Sequence, residues 1–168
     1  METIVNKVAE SGIITLDLSS YLPTKESIAV FDLKPFLFRE MILREKEYRA
    51  ALQTFDWQQF ENKHVAISCS VEAIIPVWAY MLAASYLQPF ASSIYLGSVD
   101  DLKKQYLISS LSAINREDFE GKRVVIKGCG EIPVPYTAYV AITALLRPYV
   151  KSLMYGEPCS TVPIYKKK

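Results

Sequence analysis

Residues 60–97 read FENKHVAISCSVEAIIPVWAYMLAASYLQPFASSIYLG, and residues 119–156 read FEGKRVVIKGCGEIPVPYTAYVAITALLRPYVKSLMYG. The two stretches align without a gap at an offset of 59 residues. The identical pairs include Phe60/Phe119, Lys63/Lys122, Glu72/Glu131, Pro76/Pro135, Tyr80/Tyr139, Pro89/Pro148 and Gly97/Gly156. Self-similarity at a fixed spacing indicates that one supersecondary unit occurs twice. We therefore expect residues 1–168 to form a single domain that contains an internal repeat.

Both copies have the same local pattern of strand, loop, helix and strand. Short apolar segments rich in β-branched residues predict the strands, at residues 64–69, 123–127, 93–96 and 152–155. Each copy also has an apolar segment that stops at the residue before a proline, where the α conformation is disfavoured. These segments predict helices at residues 76–88 and 135–147.

Further elements are predicted outside the copies. Alternating apolar residues indicate strands at 13–18 and 28–33, and amphipathic patterns indicate helices at 38–52 and 100–112. Alternation of strands and helices predicts an α/β fold, with a mostly parallel sheet and helices on both faces. The repeat helices are apolar nearly all round, so we expect them to be buried in the core or in a subunit contact, and the amphipathic pair to cover the other face.

Composition excludes several classes of protein. The formal net charge is only +1 and the basic residues are scattered, which argues against a nucleic-acid binder. The longest apolar runs are broken by Pro76 and Pro135 and fall short of the roughly 20 residues that span a membrane. The first residues lack a signal-peptide pattern, and three cysteines suit a reducing compartment, so we expect a cytoplasmic protein. The 51% apolar content favours a homodimer, and residues 166–168, all lysine, are expected to be a frayed end.

A cysteine follows three of the predicted strands. In a parallel sheet, ligands bind beyond the carboxyl ends of the strands, so these thiols could meet at one edge. Glutamates accompany them in the loops. The candidate ligand-binding residues are Cys69, Glu72, Cys129, Glu131, Cys159 and Ser160, and the candidate metal ligands are the three cysteines. The alternative is that the cysteines pack as small apolar side chains and the glutamates only complement a helix dipole.

The two repeat helices also begin in an unusual way. Proline suits the first helical position, which would place Pro76 and Pro135 there and leave Ile75 and Val134 at the N-caps. Neither of those side chains can accept a hydrogen bond from the exposed N–H groups of the first turn. Water, a glutamate or a bound anion would have to do so.

Recognisable catalytic motifs are missing from the sequence. With six glycines there is no Gly-x-Gly-x-x-Gly motif and no phosphate loop, and there is no Cys-x-x-Cys pair. His64, which is the sole histidine, falls inside a predicted strand and is expected to be structural. We therefore assign no catalytic residue and no cofactor.

Two blocks carry a resemblance to a known family. The segment GCGEIPVPYTAYV and the C-terminal YGEPCSTVPIYKK resemble the uncharacterised bacterial family called domain of unknown function 2480. The similarity begins at NKVAESGIITLDL and spans nearly the whole chain. The resemblance implies no established activity and no catalytic residue. It implies at most a link to iron or sulfur handling, with a protein partner in iron–sulfur assembly.

Three functions remain open at this point. The first is a non-catalytic accessory or interaction protein linked to iron–sulfur or sulfur metabolism through the cysteines and glutamates. The second is an anion-binding protein or enzyme with its pocket at the uncapped starts of the two repeat helices. The third is a structural or interaction protein whose apolar helices form a dimer or partner surface and whose cysteines are inert.

Overall fold

A computed structural model describes residues 12–127, 130–157 and 159–168. The strands are β1 (Ile13–Leu16), β2 (Ile28–Asp32), β3 (Leu37–Phe38), β4 (Ile42–Leu43), β5 (His64–Ser68), β6 (Ser93–Leu96), β7 (Arg123–Ile126), β8 (Ser152–Glu157) and β9 (Ser160–Lys166). The α-helices are α1 (Glu45–Thr54), α2 (Val77–Leu87), α3 (Val99–Ser112) and α4 (Tyr136–Leu146). In the described part of the chain, no helix is both long and apolar enough to cross a membrane.

The chain divides into two compact units. The central unit is Pro23–Gln105, and the terminal unit combines Met1–Leu22 with Tyr106–Lys168. The central unit is therefore inserted, in sequence, between β1 and the remainder of the terminal unit. The first copy of the repeated stretch falls within the central unit and the second within the terminal unit.

The central unit is built on a parallel sheet of order β2-β5-β6. Val65 and Ile67 lie on one face of β5, because side chains alternate along a strand. They belong to a buried cluster that also contains Tyr48 of α1 and Ala83 of α2. Aromatic rings fill much of this core, and the ring centroids of Phe31 and Trp57, for example, are 5.2 Å apart.

The terminal unit has a sheet of order β1-β7-β8-β9, in which the first three strands are parallel and β9 is antiparallel to β8. Val124 and Ile126 share a face of β7 and belong to a second buried cluster. Leu111 of α3 and Ile142 of α4 belong to the same cluster. The predicted mixed α/β class with a mostly parallel sheet is confirmed.

The structure corrects the predicted sheet. Strands from the two units form separate sheets, where one continuous sheet was expected. In each unit a buried cluster receives side chains from an amphipathic and an apolar helix, such as Leu52 of α1 with Ala83 of α2 and Leu111 of α3 with Ile142 of α4. The apolar helices α2 and α4 bury only one side within the described chain. Val77 and Met81 of α2 are exposed, as are Tyr136 and Val140 of α4.

Two local predictions were also wrong. The helix expected at 38–52 begins only at Glu45, because residues 37–43 form the β3–β4 hairpin. Arg39 and Glu40 in its turn have φ angles of 51° and 57°, which a right-handed helix cannot accommodate. The last lysines are not simply a frayed end, since Lys166 pairs with Ser152 as the final residue of β9.

Elements of the two copies begin at matched positions. The matched starts are His64 and Arg123 for β5 and β7, Val77 and Tyr136 for α2 and α4, and Ser93 and Ser152 for β6 and β8. A further strand occupies the same place beside each copy, because β2 pairs with β5 from His64 onward and β1 pairs with β7 from Arg123 onward. The two units thus contain the same three parallel strands in the same order.

Candidate functional site

An ion pair lies at the carboxyl ends of β1 and β7 in the terminal unit. Asp17 comes directly after β1 and Lys127 directly after β7. Because the two strands are parallel neighbours, both residues reach the same edge of the sheet, where the backbone N–H of Lys127 donates to the carbonyl of Leu16 at 2.9 Å. Lys127 Nζ lies 3.2 Å from Asp17 Oδ2. Their side chains are 34% and 39% exposed, so the pair is open to solvent.

Asp17 is held by its neighbours in sequence as well. Asp17 Oδ1 accepts hydrogen bonds from the Ser19 backbone N–H at 3.0 Å and from the Ser19 hydroxyl at 2.6 Å. In this way Asp17 caps the 3-10 turn Leu18–Tyr21. The hydrogen bond from the Ser19 hydroxyl is the main cause that lowers the pKa of Asp17, and Lys127 lowers it further, against the opposing effect of burial. Asp17 is therefore ionised at neutral pH, and its oxygens are occupied by these donors.

A cavity of about 230 Å³ opens beside this ion pair. Its polar side is formed by Asp17, Ser19 and Lys127, and its other walls are mostly apolar or aromatic. The remaining lining residues are Gly130, Ile132, Pro133, Val134, Tyr136, Tyr139 and Tyr155. The rings of Tyr139 and Tyr155 meet edge to face, with centroids 5.7 Å apart. We call this space the polar cavity.

The first turn of α4 contributes to the polar cavity through Tyr136. Its N-cap residue is Pro135, and no side chain caps the helix start. The same holds for α2, whose N-cap is Pro76. The structure therefore confirms the two uncapped starts, but each proline lies one position earlier than predicted, as the N-cap and not the first helical residue. The start of α4 adds the positive end of a helix dipole to the wall of the cavity.

The matched place in the central unit is arranged differently. Asp32, the last residue of β2, accepts hydrogen bonds from the Ser70 backbone N–H at 3.0 Å and from the Ser70 hydroxyl. Burial alone would raise the pKa of Asp32, but hydrogen bonds from Ser70 and Lys34 outweigh it and lower that pKa. The loop before α2 also forms a parallel bridge between Ile42 and Ile74. An aspartate that accepts from a serine hydroxyl occurs in both units, but Ser19 lies two residues after Asp17 whereas Ser70 lies 38 residues after Asp32. Lys34 acts on Asp32 through its backbone N–H and its charge, whereas Lys127 forms an ion pair with Asp17.

The predicted cysteine and glutamate residues that the structure describes belong to both units. Cys69 is half-buried and packs against the central cluster, while Glu72 is exposed. Burial and, secondly, the charge of Cys69 raise the pKa of Tyr80 on α2. Cys69 therefore has a packing environment typical of a small apolar side chain.

The remaining predicted residues fall in the terminal unit. Glu131 is exposed, Cys159 is exposed in the turn between β8 and β9, and Ser160 is the exposed first residue of β9. Cys129 lies outside the described residues. Among residues 12–127, 130–157 and 159–168, no group of three or more histidine, cysteine, aspartate or glutamate side chains is placed to hold a metal ion.

His64 has a structural environment in the central sheet. Its Nδ1 lies 2.7 Å from the hydroxyl of Ser93, the residue that pairs with it on β6. Burial lowers the pKa of His64, so its neutral form is favoured. This agrees with the structural role expected from its position within a strand.

Sequence reasoning missed Asp17, Ser19 and Lys127. A signal for the aspartate is present, since the segments IITLDL at 13–18 and IAVFDL at 28–33 share an isoleucine start and an Asp-Leu end. The two segments start 15 residues apart, so a comparison at the repeat offset of 59 does not align them. No local pattern reveals Lys127 as the partner of Asp17, because the two residues are 110 positions apart.

Comparison with known proteins places the chain in a family and goes no further. Neither the curated proteins nor the solved structures contain a significant match. The sequence matches the family described as "Protein of unknown function (DUF2480)" over residues 2–167. That match covers essentially the whole chain, so the protein belongs to the DUF2480 family.

Proposed function

We propose that this protein binds a small monoanionic molecule in the polar cavity of the terminal unit. The observation that carries the proposal is the cavity of about 230 Å³ at the carboxyl ends of parallel strands, with the Asp17–Lys127 pair on one side and the uncapped start of α4 on another. Ligands of open parallel sheets bind in this position. Of the functions predicted from the sequence, this one is the anion-binding alternative.

The charges around the cavity favour one negative charge on the ligand over two. Lys127 contributes one positive charge, Asp17 offsets it, and the start of α4 adds roughly half a positive charge. An ammonium group has three hydrogen-bond donors, so its bond to Asp17 leaves donors for a ligand oxygen. A carboxylate would leave about half a negative charge in excess at the site, whereas a dianionic phosphate would leave about one and a half next to Asp17.

Thermal unfolding in the presence of simple anions tests the proposal. At constant ionic strength, acetate and benzoate should raise the midpoint of unfolding more than inorganic phosphate, because a ligand that binds only the folded state stabilises it. Lys127→Ala should abolish the shift and Lys127→Arg should retain part of it. Lys46→Ala, on the exposed surface of α1, is the matched control. An equal response of Lys127→Ala and wild type would refute the proposal.

A second candidate is an accessory or interaction protein. The observation that favours it is that α2 and α4 expose apolar side chains at matched positions, Val77 and Met81 on α2 and Tyr136 and Val140 on α4. Large exposed apolar patches often mark protein contacts, and the homodimer predicted from composition would use them. Sedimentation of wild type and of Met81→Glu and Val140→Glu would test this. A monomer at all concentrations would count against the homodimer.

The link to iron–sulfur or sulfur metabolism is proposed on the cysteines and glutamates, together with the family resemblance that implies an assembly partner. Cys69, Cys129 and Cys159 would serve as ligands for a metal, a cluster or a persulfide in a reducing cytoplasm, with Glu72 and Glu131 beside them. Metal and sulfane-sulfur analysis of protein purified without oxygen, with Cys129→Ser as the comparison, tests this directly. Absence of both from the wild type would remove the proposal, including a partner in iron–sulfur assembly.

The internal duplication is likewise a proposal about origin. Matched element starts at one offset and the equivalent places of β1 and β2 support descent from one unit. Separate expression of residues 23–105 would test it. A duplicated unit should fold alone with cooperative unfolding, and a disordered product would count against it.

A further inference from the structure

A second, apolar cavity adjoins the polar cavity in the terminal unit. It has a volume of about 350 Å³ and lies between α4 and the strands β8 and β9. Tyr136, Tyr139 and Tyr155 line both cavities. The other lining residues are Ile126, Val140, Thr143, Leu153, Met154 and Ile164. We call this space the apolar groove.

Side chains on the rim of the groove are unusually exposed for their type. Val140 is 72% exposed, Ile164 52% and Tyr155 40%. Ligand pockets are typically 300 to 1,000 Å³ in volume, lined mainly by apolar and aromatic side chains with a few polar groups that fix orientation. The groove has the volume and the apolar lining, and the polar cavity next to it supplies the orienting charges.

We infer that the ligand of this site is an amphipathic monoanion, an aliphatic carboxylate whose head group lies at Lys127 and whose hydrocarbon chain lies in the apolar groove. This inference rests on the proposed function and adds the class of the ligand. The carboxylate would accept from the Lys127 ammonium and face the start of α4, while Asp17 holds that ammonium in place. The chain would pass the three shared tyrosines and reach Val140 and Ile164.

A single amphipathic molecule is the proposed occupant, because the groove shares three tyrosines with the cavity that holds the Lys127 ammonium. A molecule with one anionic end and one apolar end fits this pairing of a charged and an apolar space. A phospholipid phosphodiester also carries a single negative charge, so charge alone does not separate it from a carboxylate. The inference commits to a free carboxylate, and the vesicle arm of the test below separates the two sources.

Titration with straight-chain carboxylates of two to twelve carbons tests the inference. Each methylene buried in the groove should tighten binding by roughly fourfold, until the groove is filled. Val140→Ser should weaken decanoate binding by about threefold or more and leave acetate binding unchanged. Met81→Ser, at the matched position of α2, should change neither. Lys127→Ala should weaken all members of the series.

The possible results separate the inference from the proposed function. If acetate binds with dependence on Lys127 and longer chains bind no better, the inference is overturned and the proposed function stands. If no carboxylate binds, both are overturned. If decanol binds as tightly as decanoate, or if decanoate binding is unaffected by Val140→Ser, the two-part site is overturned. Binding to phosphatidylglycerol vesicles without binding to free decanoate would also overturn the inference. So would a dimer that Val140→Ser dissociates and decanoate does not.

Discussion

Replacement of Asp17 by asparagine would remove the negative charge beside Lys127 with little change of shape. An asparagine oxygen can still accept from the Ser19 backbone N–H, and asparagine caps helical turns about as well as aspartate. Lys127 Nζ lies 3.2 Å from Asp17 Oδ2. A ligand oxygen on the other side of the ammonium would lie roughly 6 Å from the carboxylate, since a hydrogen bond adds about 3 Å. The substitution therefore changes mainly the charge that a bound anion meets.

The size of the effect follows from Coulomb's law. Two unit charges about 6 Å apart repel by about 0.7 kcal/mol in bulk water and by about 2.8 kcal/mol at an effective dielectric constant of about 20. Because the Lys127 and Asp17 side chains are 34% and 39% exposed, the solvent limit is the better guide, and we take about 1 kcal/mol. Asp17→Asn should therefore tighten acetate binding by about fivefold and the binding of dianionic phosphate by about thirtyfold.

The assay is a titration of wild type and Asp17→Asn with acetate and with phosphate at equal ionic strength. Asp32→Asn is the matched control, because Asp32 has the same position and a serine partner in the central unit. The control should leave both affinities unchanged. If Asp17→Asn leaves the ratio of phosphate to acetate affinity unchanged, or if Asp32→Asn alters it equally, the electrostatic reasoning about the polar cavity is refuted.

Three further predictions concern stability and reactivity. Leu18 is fully buried, so Leu18→Ala should lower the free energy of unfolding by about 2 to 5 kcal/mol in urea titrations. The control Ser20→Ala should lower it by under about 1 kcal/mol, and equal losses would contradict the placement of Leu18 in the core. The hydrogen bond from the Ser19 hydroxyl lowers the pKa of Asp17, so ionised Asp17 stabilises the fold above pH 3.8, and this contribution is lost as the pH falls through the lowered pKa. Asp17→Asn should therefore lose less stability than wild type on acid titration, and an identical acid profile would count against this. Cys159 is exposed and Cys69 half-buried, so iodoacetamide should modify Cys159 faster in mass spectrometry, and the reverse order would contradict their placement.

Much of the fold could be predicted because local sequence determines it. The run HVAIS is apolar and β-branched and forms β5, and the helices α2 and α4 end before prolines as expected. Separation into two sheets could not be predicted, because it depends on which strands pair. The pairing of β1 with β7 joins residues more than a hundred positions apart, and no local pattern encodes that choice. The β3–β4 hairpin was missed because Arg39 and Glu40 have good helix propensity but adopt left-handed backbone angles.

The candidate site could be predicted only in its location. The edge at the carboxyl ends of the strands and the uncapped start at Pro135 followed from the sequence. The charged pair did not, since Asp17 and Lys127 come together only when β1 and β7 align. The cysteines were predicted as ligands because thiolates bind metals. In the structure, Cys69 packs against a hydrophobic cluster and Cys159 lies in an exposed turn.

Amide chemical-shift mapping during an acetate titration tests the central claim most directly. The account predicts that saturable shifts concentrate at Ser19, Lys127 and Tyr136 in the terminal unit and disappear in Lys127→Ala. In the central unit, Ser70, which holds Asp32, and Val77, which matches Tyr136, should not respond. Shifts that follow Ser70 and Val77 as closely as Ser19 and Tyr136, or no saturable shift at all, would contradict the existence of a specific anion site.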